Sequence, residues 1–400
     1  MNDALRKKAE TYLYANYKPA PFVLSHGQGA CLFDTGGKRY LDFAAGVAVS
    51  SVGHNHPEHV RAIAEQAAKL IHTSNYFYNE ENVLLAEALC QKTGFARAFF
   101  CNSGTEANEA TFKLARRHAY ARGETKRTRF IAFESAFHGR TMGALSLTGT
   151  PKYREGFGAA FDVTHLRYGD LEAVNASIAD DVCAVVVEAV QGEGGVIPAP
   201  PGFLAGIRAA CDRAGALMLL DEVQTGVGRL GHWFGFQWAG VKPDVIALAK
   251  GLGGGVPVGA MLTTDALAGA LPPGTHGSTF GGNPLASRAA RAVLEICEKE
   301  KLVERAHAGG EKLDALLRGV CERQGAVCEG TRGVGLLRGL VLKQGLLARD
   351  VLAKIAERGV LLTAAGDRVI RFTPPLVVKD AELEEGVAVV EAVLAAMPGA

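Results

Sequence analysis

Four short apolar runs in the middle of the chain limit its fold more than any other feature. They are Arg129–Phe133, Val182–Val187, Ala216–Leu220 and Val245–Ala249, most of them bounded by polar residues or glycine. Continuous apolar runs of this length suit strands buried on both faces, because a strand with one wet face alternates. Helical patterns lie between several of them, such as Gly202–Ala214 before the third. A helix between successive strands makes a crossover connection, so the pattern predicts a mostly parallel α/β sheet.

The chain ends read differently. Near the start, Ala30–Phe33 and Arg39–Phe43 flank Asp34-Thr-Gly-Gly37, a glycine-containing turn between apolar runs that predicts a hairpin. Later, a long helix pattern runs from about Asn283 to Lys299, with an N-cap in Gly281-Gly-Asn-Pro284. Helix and short strand signals then mix to the end. This organisation predicts a large domain over 51–285 and a smaller domain assembled from 1–50 and 286–400. The sequence shows neither an internal repeat nor a disordered tract.

The 400 residues are 48% hydrophobic, enough for a large core and more than one domain. A net charge of +1 with 21% charged residues argues against nucleic acid or a membrane surface as partner. No apolar run reaches the roughly 18 residues of a membrane span, and Met1–Glu10 is charged, without the apolar stretch of a secretory signal. The 8 cysteines are scattered, with no CxxC pair or metal-ligand spacing, and read as reduced core thiols. His54 and His56 have no third ligand at a matching spacing, so no metal is expected. These features together fit a cytoplasmic enzyme.

In open α/β sheets, ligands bind beyond the carboxyl ends of the strands. Asp221 and Lys250 directly follow two of the predicted strands. Phe137, His138 and Arg140 lie just past another, and Glu188 and Glu193 just past a fourth. A lysine in an apolar setting loses its proton more easily and becomes a nucleophile toward carbonyl groups. The glycines at 251 and 253–255 would let a bulky partner approach it. An acid beside a bound pyridine nitrogen keeps that ring protonated and able to accept electrons.

A phosphate site is also legible. Ser103 and Glu106 have capping-box spacing at the start of a helical pattern. Ser103, Gly104 and Thr105 would present N–H groups and hydroxyls at a helix N-terminus, which favours anions. Nothing matches the nucleotide-binding GxxxxGK[ST] loop. In Gly333-Val-Gly335 the third glycine of a GxGxxG fingerprint is replaced by Arg338.

Six motifs in order along nearly the whole chain resemble the class III, or omega, aminotransferases. They are Ser103-Gly-Thr-Glu-Ala-Asn-Glu109, Phe137-His-Gly-Arg-Thr141, Gln191-Gly-Glu-Gly-Gly195, Asp221-Glu-Val-Gln-Thr-Gly226, Ala249-Lys-Gly251 and Ser278-Thr-Phe-Gly-Gly-Asn-Pro284. The resemblance implies the fold-type I architecture of pyridoxal-phosphate transferases. That means a large domain around a mostly parallel seven-stranded sheet, and a small α+β domain built from both chain ends.

The resemblance also implies roles. Lys250 would carry pyridoxal 5'-phosphate covalently and then move the proton. Asp221 would pair with the ring nitrogen, while Val223 and Phe137 cover the two ring faces and Gln224 lies near the phenolic oxygen. Ser103, Gly104 and Thr105 would hold the phosphate, with Ser278 and Thr279 reaching it from the partner in a homodimer. His138 would help to hold the cofactor by packing or hydrogen bonding, not as a base. Arg140 would bind the far carboxylate of the substrate and Arg371 the carboxylate of the 2-oxoacid. Glu193 would pair with Arg371 while the amine donor is bound and release it for 2-oxoglutarate. The wording around these motifs is nearest to family members that use N2-acetyl-L-ornithine as donor. Succinylornithine, ornithine and 4-aminobutyrate are the rival donors. An aminomutase or decarboxylase on the same fold is the alternative of a different class. Two departures from the usual pattern stand out, Ala189 where proline is common and Lys18 where arginine is expected.

Overall fold

The computed structural model describes residues 2–397. Its centre is a seven-stranded sheet made of β1 (Arg97–Cys101), β2 (Arg129–Phe133), β3 (Val163–Leu166), β4 (Val182–Glu188), β5 (Leu217–Asp221), β6 (Val245–Leu248) and β7 (Gly259–Thr263). The order across the sheet is β1-β7-β6-β5-β4-β2-β3. β7 is antiparallel to both its neighbours, and the pairs among β2 to β6 are all parallel.

The apolar runs exist because both sheet faces are covered. Phe130, Ala132, Ala184, Val186 and Leu219 pack with Phe112, Leu114 and Ala115 of the Gly104–Ala121 helix. Their neighbours Ile131, Phe133, Val185, Val187, Met218 and Leu220 share a cluster with Phe203, Leu204 and Ile207 of the Phe203–Ala214 helix. Each buried side chain of this size contributes roughly 1.5–3 kcal/mol, so a polar residue inside any of these strands would be costly.

The predicted boundaries shift by one residue at several strands. Asp221 is the last residue of β5, opposite Glu188 and Ala247, and does not follow the strand. The predicted hairpin forms, with Cys31–Asp34 antiparallel to Arg39–Asp42. The short strand Val360–Leu361 then adds parallel to Arg39–Asp42, so residues near both chain ends share one sheet. The long helix spans Pro284–Lys299, and the Asn283 side chain caps it by accepting from the Ala286 N–H at 2.9 Å. A third sheet sets Val369–Phe372 between Leu337–Leu342 and Thr363–Ala365. Among the described residues, no helix is long and apolar enough to cross a membrane.

Candidate active site

A cavity of about 410 Å³ opens at the carboxyl ends of the parallel strands. Ser103, Gly104, Thr105, Phe137, His138, Arg140, Glu193, Asp221, Val223, Gln224 and Lys250 all line it. They meet there because each lies at or just beyond the end of a strand. Arg371 comes from the third sheet and reaches the same wall through Glu193.

Asp221 forms the floor. Its Oδ2 accepts from Asn108 Nδ2 at 2.7 Å and lies 2.8 Å from His138 Nδ1, and its Oδ1 accepts from the Val223 N–H at 2.9 Å. Burial alone would raise this carboxyl, but the His138 hydrogen bond and charge, with the other two donors, hold it below its ordinary range. The carboxylate therefore stays ionised at 5% exposure. His138 is itself buried and spends Nδ1 on Asp221, the geometry of a supporting residue. Asn108, one turn along the helix from Gly104, joins the Asp221 cluster although the sequence reading gave it no role.

Lys250 begins the single-turn helix that follows β6, at φ 44°. A side-chain-bearing residue in this left-handed region costs on the order of 1 kcal/mol, strain of the kind that clusters at functional sites. Among the described residues its amino group has no hydrogen-bond or ion-pair partner. Burial pushes its ammonium below the ordinary lysine range, against the opposing charge of Glu193. A buried, unengaged amine facing a cavity gives up its proton more easily and can then act as a nucleophile and a base.

Ser103 caps the Gly104–Ala121 helix by accepting from the Glu106 N–H at 3.3 Å. The Glu106 carboxylate reaches back one residue further than a simple capping box would require, to the Asn102 N–H at 2.5 Å. The first-turn N–H groups of Gly104 and Thr105 have no acceptor within the helix, and both residues line the cavity. Gly104 is needed here, since a Cβ would lie 2.7 Å from the Val223 side chain. Thr105 Oγ1 accepts from the Arg140 N–H at 3.2 Å and so ties the helix start to the next loop.

The opposite wall carries Glu193 and Arg371. Arg371 is 2% exposed, and its Nη1 lies 2.5 Å from Glu193 Oε1. The same nitrogen donates to the Gly192 carbonyl at 3.1 Å, and Nε donates to Thr363 Oγ1 at 3.0 Å. Burial would raise the Glu193 carboxyl, but Arg371 and Lys250 outweigh it and hold it low. Glu188, also buried, accepts from the N–H groups of Phe137 at 3.1 Å and Gly192 at 3.3 Å. Burial raises it to about 7 despite the nearby His138.

Ser278 and Thr279 are placed apart from these residues. They line a separate surface hollow with Asn75, Tyr76 and Phe99. Ser278 Oγ is bound to the Gly281 N–H at 2.9 Å and to Asn102 Nδ2 at 3.3 Å. His54 and His56 point to different carboxylates, Asp42 at 2.7 Å and Glu300 at 2.9 Å.

A lysine and an ionised acid at the rim of such a sheet, with an anion-favouring helix start beside them, define a carbonyl-chemistry site for a phosphorylated ring. The chain belongs to the class-III aminotransferases, whose family model matches residues 12–394. It is 47% identical over 389 residues to the acetylornithine aminotransferase of Myxococcus xanthus, covering 96% of this chain and 95% of that one. It is 45% identical over 384 residues to the succinylornithine transaminase/acetylornithine aminotransferase of Pseudomonas aeruginosa, covering 95% and 94%. It also superposes on the ornithine aminotransferase of Toxoplasma gondii with a TM-score of 0.94 at 33% identity, over 98% of this chain and 94% of that one. That structure shows partial occupancy of pyridoxal phosphate at its active site.

The cavity fits the same group. It offers an unpartnered amine for the aldehyde, an ionised carboxylate for a ring N–H, and first-turn N–H groups for a phosphate.

Proposed function

We propose that this aminotransferase moves the terminal amino group of N2-acetyl-L-ornithine to 2-oxoglutarate, giving N-acetyl-L-glutamate 5-semialdehyde and L-glutamate. The carrying observation is the arrangement of two arginines about Lys250. Arg140, at the mouth, is exposed and has no carboxylate partner among the described residues, whereas Arg371 is neutralised by Glu193. One free cation suits a donor with a single far carboxylate. A second, masked cation suits a 2-oxoacid that brings another.

Bound pyridoxal phosphate supplies an aldehyde for the substrate amine and a ring that accepts electrons from the adjacent carbon. The protein's residues do the rest. Lys250 Nζ, whose pKa burial lowers, would hold the cofactor and later take the proton from the carbon bearing the amine. Asp221 would keep the ring nitrogen protonated, and His138 and Asn108 would keep Asp221 ionised. Val223 and Phe137 would cover the ring faces, and Gln224 would meet the phenolic oxygen. Ser103, Gly104 and Thr105 would hold the phosphate. When 2-oxoglutarate enters, its carboxylate would displace Glu193 from Arg371, so one site serves two unlike substrates in turn.

Ser278 and Thr279 would complete the phosphate site of a second subunit. The aromatic groups nearby support a homodimer: Tyr76 is 93%, Phe77 71%, Tyr78 99% and Phe280 61% exposed. Such a run of bare aromatics beside polar site residues is the mark of an interface. We assign the chain ends to one small domain at boundaries near 50 and 285, supported by the strand pairing between Val360–Leu361 and Arg39–Asp42. A cytoplasmic setting is supported by the 8 free cysteines.

The test is a panel of N2-acetylornithine, succinylornithine, ornithine and 4-aminobutyrate, each with 2-oxoglutarate. The highest kcat/KM should fall to N2-acetylornithine. A clear preference for succinylornithine or 4-aminobutyrate would reassign the donor. Turnover without any 2-oxoacid would point to an aminomutase or decarboxylase.

A further inference from the structure

We infer that Tyr153 is a positioning residue that sets specificity for a carboxylate-bearing donor, by stacking on Arg140. The inference rests on the reading of Arg140 as the far-carboxylate ligand. The Arg140 guanidinium carbon lies 4.1 Å from the Tyr153 ring centroid and 5.4 Å from that of Phe137. The two rings meet edge to face, 6.0 Å apart at 88°. The cation is thus bracketed by two aromatic groups.

The choice of partner matters. A carboxylate beside Arg140 would hold the side chain still but cancel the charge the substrate needs. An aromatic face attracts the cation through its electron-rich surface and leaves the N–H edge of the guanidinium free. That edge is the part that forms two parallel hydrogen bonds to a carboxylate. Stacking therefore removes the freedom of a long exposed side chain without using its binding edge.

Tyr153 is tied to the loop that carries Arg140. The Gly149 N–H donates to the Ala136 carbonyl at 2.8 Å. A Cβ on Gly149 would collide with the Phe133 carbonyl oxygen, at 2.0 Å, so only glycine permits this crossing. Thr148 Oγ1 accepts from the His138 N–H at 3.1 Å. The turn Pro151–Arg154 follows at once, closed by the Tyr153 N–H on the Thr150 carbonyl at 3.1 Å. One segment, 136 to 153, with the helix Met142–Leu147 inside it, thus carries the ring-covering Phe137, Arg140 and the aromatic that orients it. The Tyr153 hydroxyl has no hydrogen-bond partner among the described residues, so the ring face and not the oxygen is the working part.

The experiment uses the holoenzyme and the variants Tyr153→Leu, Tyr153→Phe and Arg140→Ala. Amine half-reactions are followed as single turnovers with N2-acetylornithine and with pentylamine, which has no carboxylate. The dissociation constant of N-acetyl-L-norvaline, the donor without its reacting amine, is measured by calorimetry. A stacked cation of this exposure is worth about a 2- to 5-fold change in affinity. Tyr153→Leu should therefore weaken N-acetyl-L-norvaline and raise KM for N2-acetylornithine by that factor. Its limiting rate and the reaction of pentylamine should stay within about twofold of the unmodified enzyme. Tyr153→Phe should match the unmodified enzyme.

Unchanged norvaline binding in Tyr153→Leu overturns the inference, as does an equal loss for both amines. A Phe variant as weak as the Leu variant overturns it too, by assigning the effect to the hydroxyl. Arg140→Ala separates the two levels: if it leaves norvaline binding intact, the far-carboxylate reading falls and takes this inference with it. A large Arg140→Ala effect beside a silent Tyr153→Leu removes the stacking role alone.

Discussion

Replacing Arg371 with alanine should damage one half of the reaction far more than the other. In the structure Arg371 is buried, neutralised by Glu193 at 2.5 Å and fixed by Thr363 and the Gly192 carbonyl. The incoming 2-oxoacid carboxylate would take the place of Glu193 and form two charge-assisted hydrogen bonds. Each is worth about 1.5–3 kcal/mol. Their joint loss of roughly 3–6 kcal/mol corresponds to about 10²- to 10⁴-fold in kcat/KM for 2-oxoglutarate, at about 1.4 kcal/mol per decade. The amine half-reaction leaves Arg371 paired, so its loss should stay below about tenfold. Stopped-flow measurement of each half-reaction, with cofactor absorbance as the signal, separates the two. Arg371→Lys should recover part of the 2-oxoglutarate rate, because it restores charge without the planar fork. Glu193→Gln should show the reverse bias, sparing 2-oxoglutarate and slowing the amine. Equal losses in both half-reactions of Arg371→Ala would refute the exchange of partners at Arg371.

Three further outcomes follow from the site. Lys250→Ala should abolish turnover, since it removes the only unpartnered amine among the described residues that line the cavity; turnover near that of the unmodified enzyme would reject its assignment. Asp221→Asn should cut the rate by about 10²-fold or more. It should also cost on the order of 1–3 kcal/mol of stability, because an amide cannot accept on both sides as Asp221 does from Asn108 and Val223; a normal rate would remove the acid from the mechanism. Glu188→Gln should change the pH dependence of stability in the cofactor-free protein. Burial raises Glu188 from 4.5 to about 7, so the stability tied to its neutral form is complete below about 4.5 and is lost as pH rises through 7. At about 1.4 kcal/mol per unit, the unmodified protein should lose up to roughly 3 kcal/mol relative to the variant between pH 4.5 and 8. Denaturant titrations across that range that run parallel for the two proteins would refute it.

By itself the sequence determined the strands buried on both faces, because such strands must be apolar throughout, and these runs have no rival reading beside Gly and polar boundaries. It determined the helix starts at Ser103 and Asn283, since capping is chemistry between residues three apart. It also placed Lys250, Asp221, His138 and Glu193 near one rim, because parallel strands deliver their carboxyl ends to the same side. The strand Val163–Leu166 escaped notice, being half-polar at the sheet edge. The strands Arg97–Cys101 and Gly259–Thr263 escaped too, and with the second its reversed direction, which depends on how the glycine-rich connection turns. Tertiary structure alone decided what lies between distant segments. It set Glu188 between the Phe137 and Gly192 amides, where burial raises its pKa. It brought Arg371 from a separate sheet onto Glu193, a pairing expected only from the family resemblance, and it laid Tyr153 across Arg140. No spacing encodes such contacts, because they join side chains whose meeting depends on how whole elements pack.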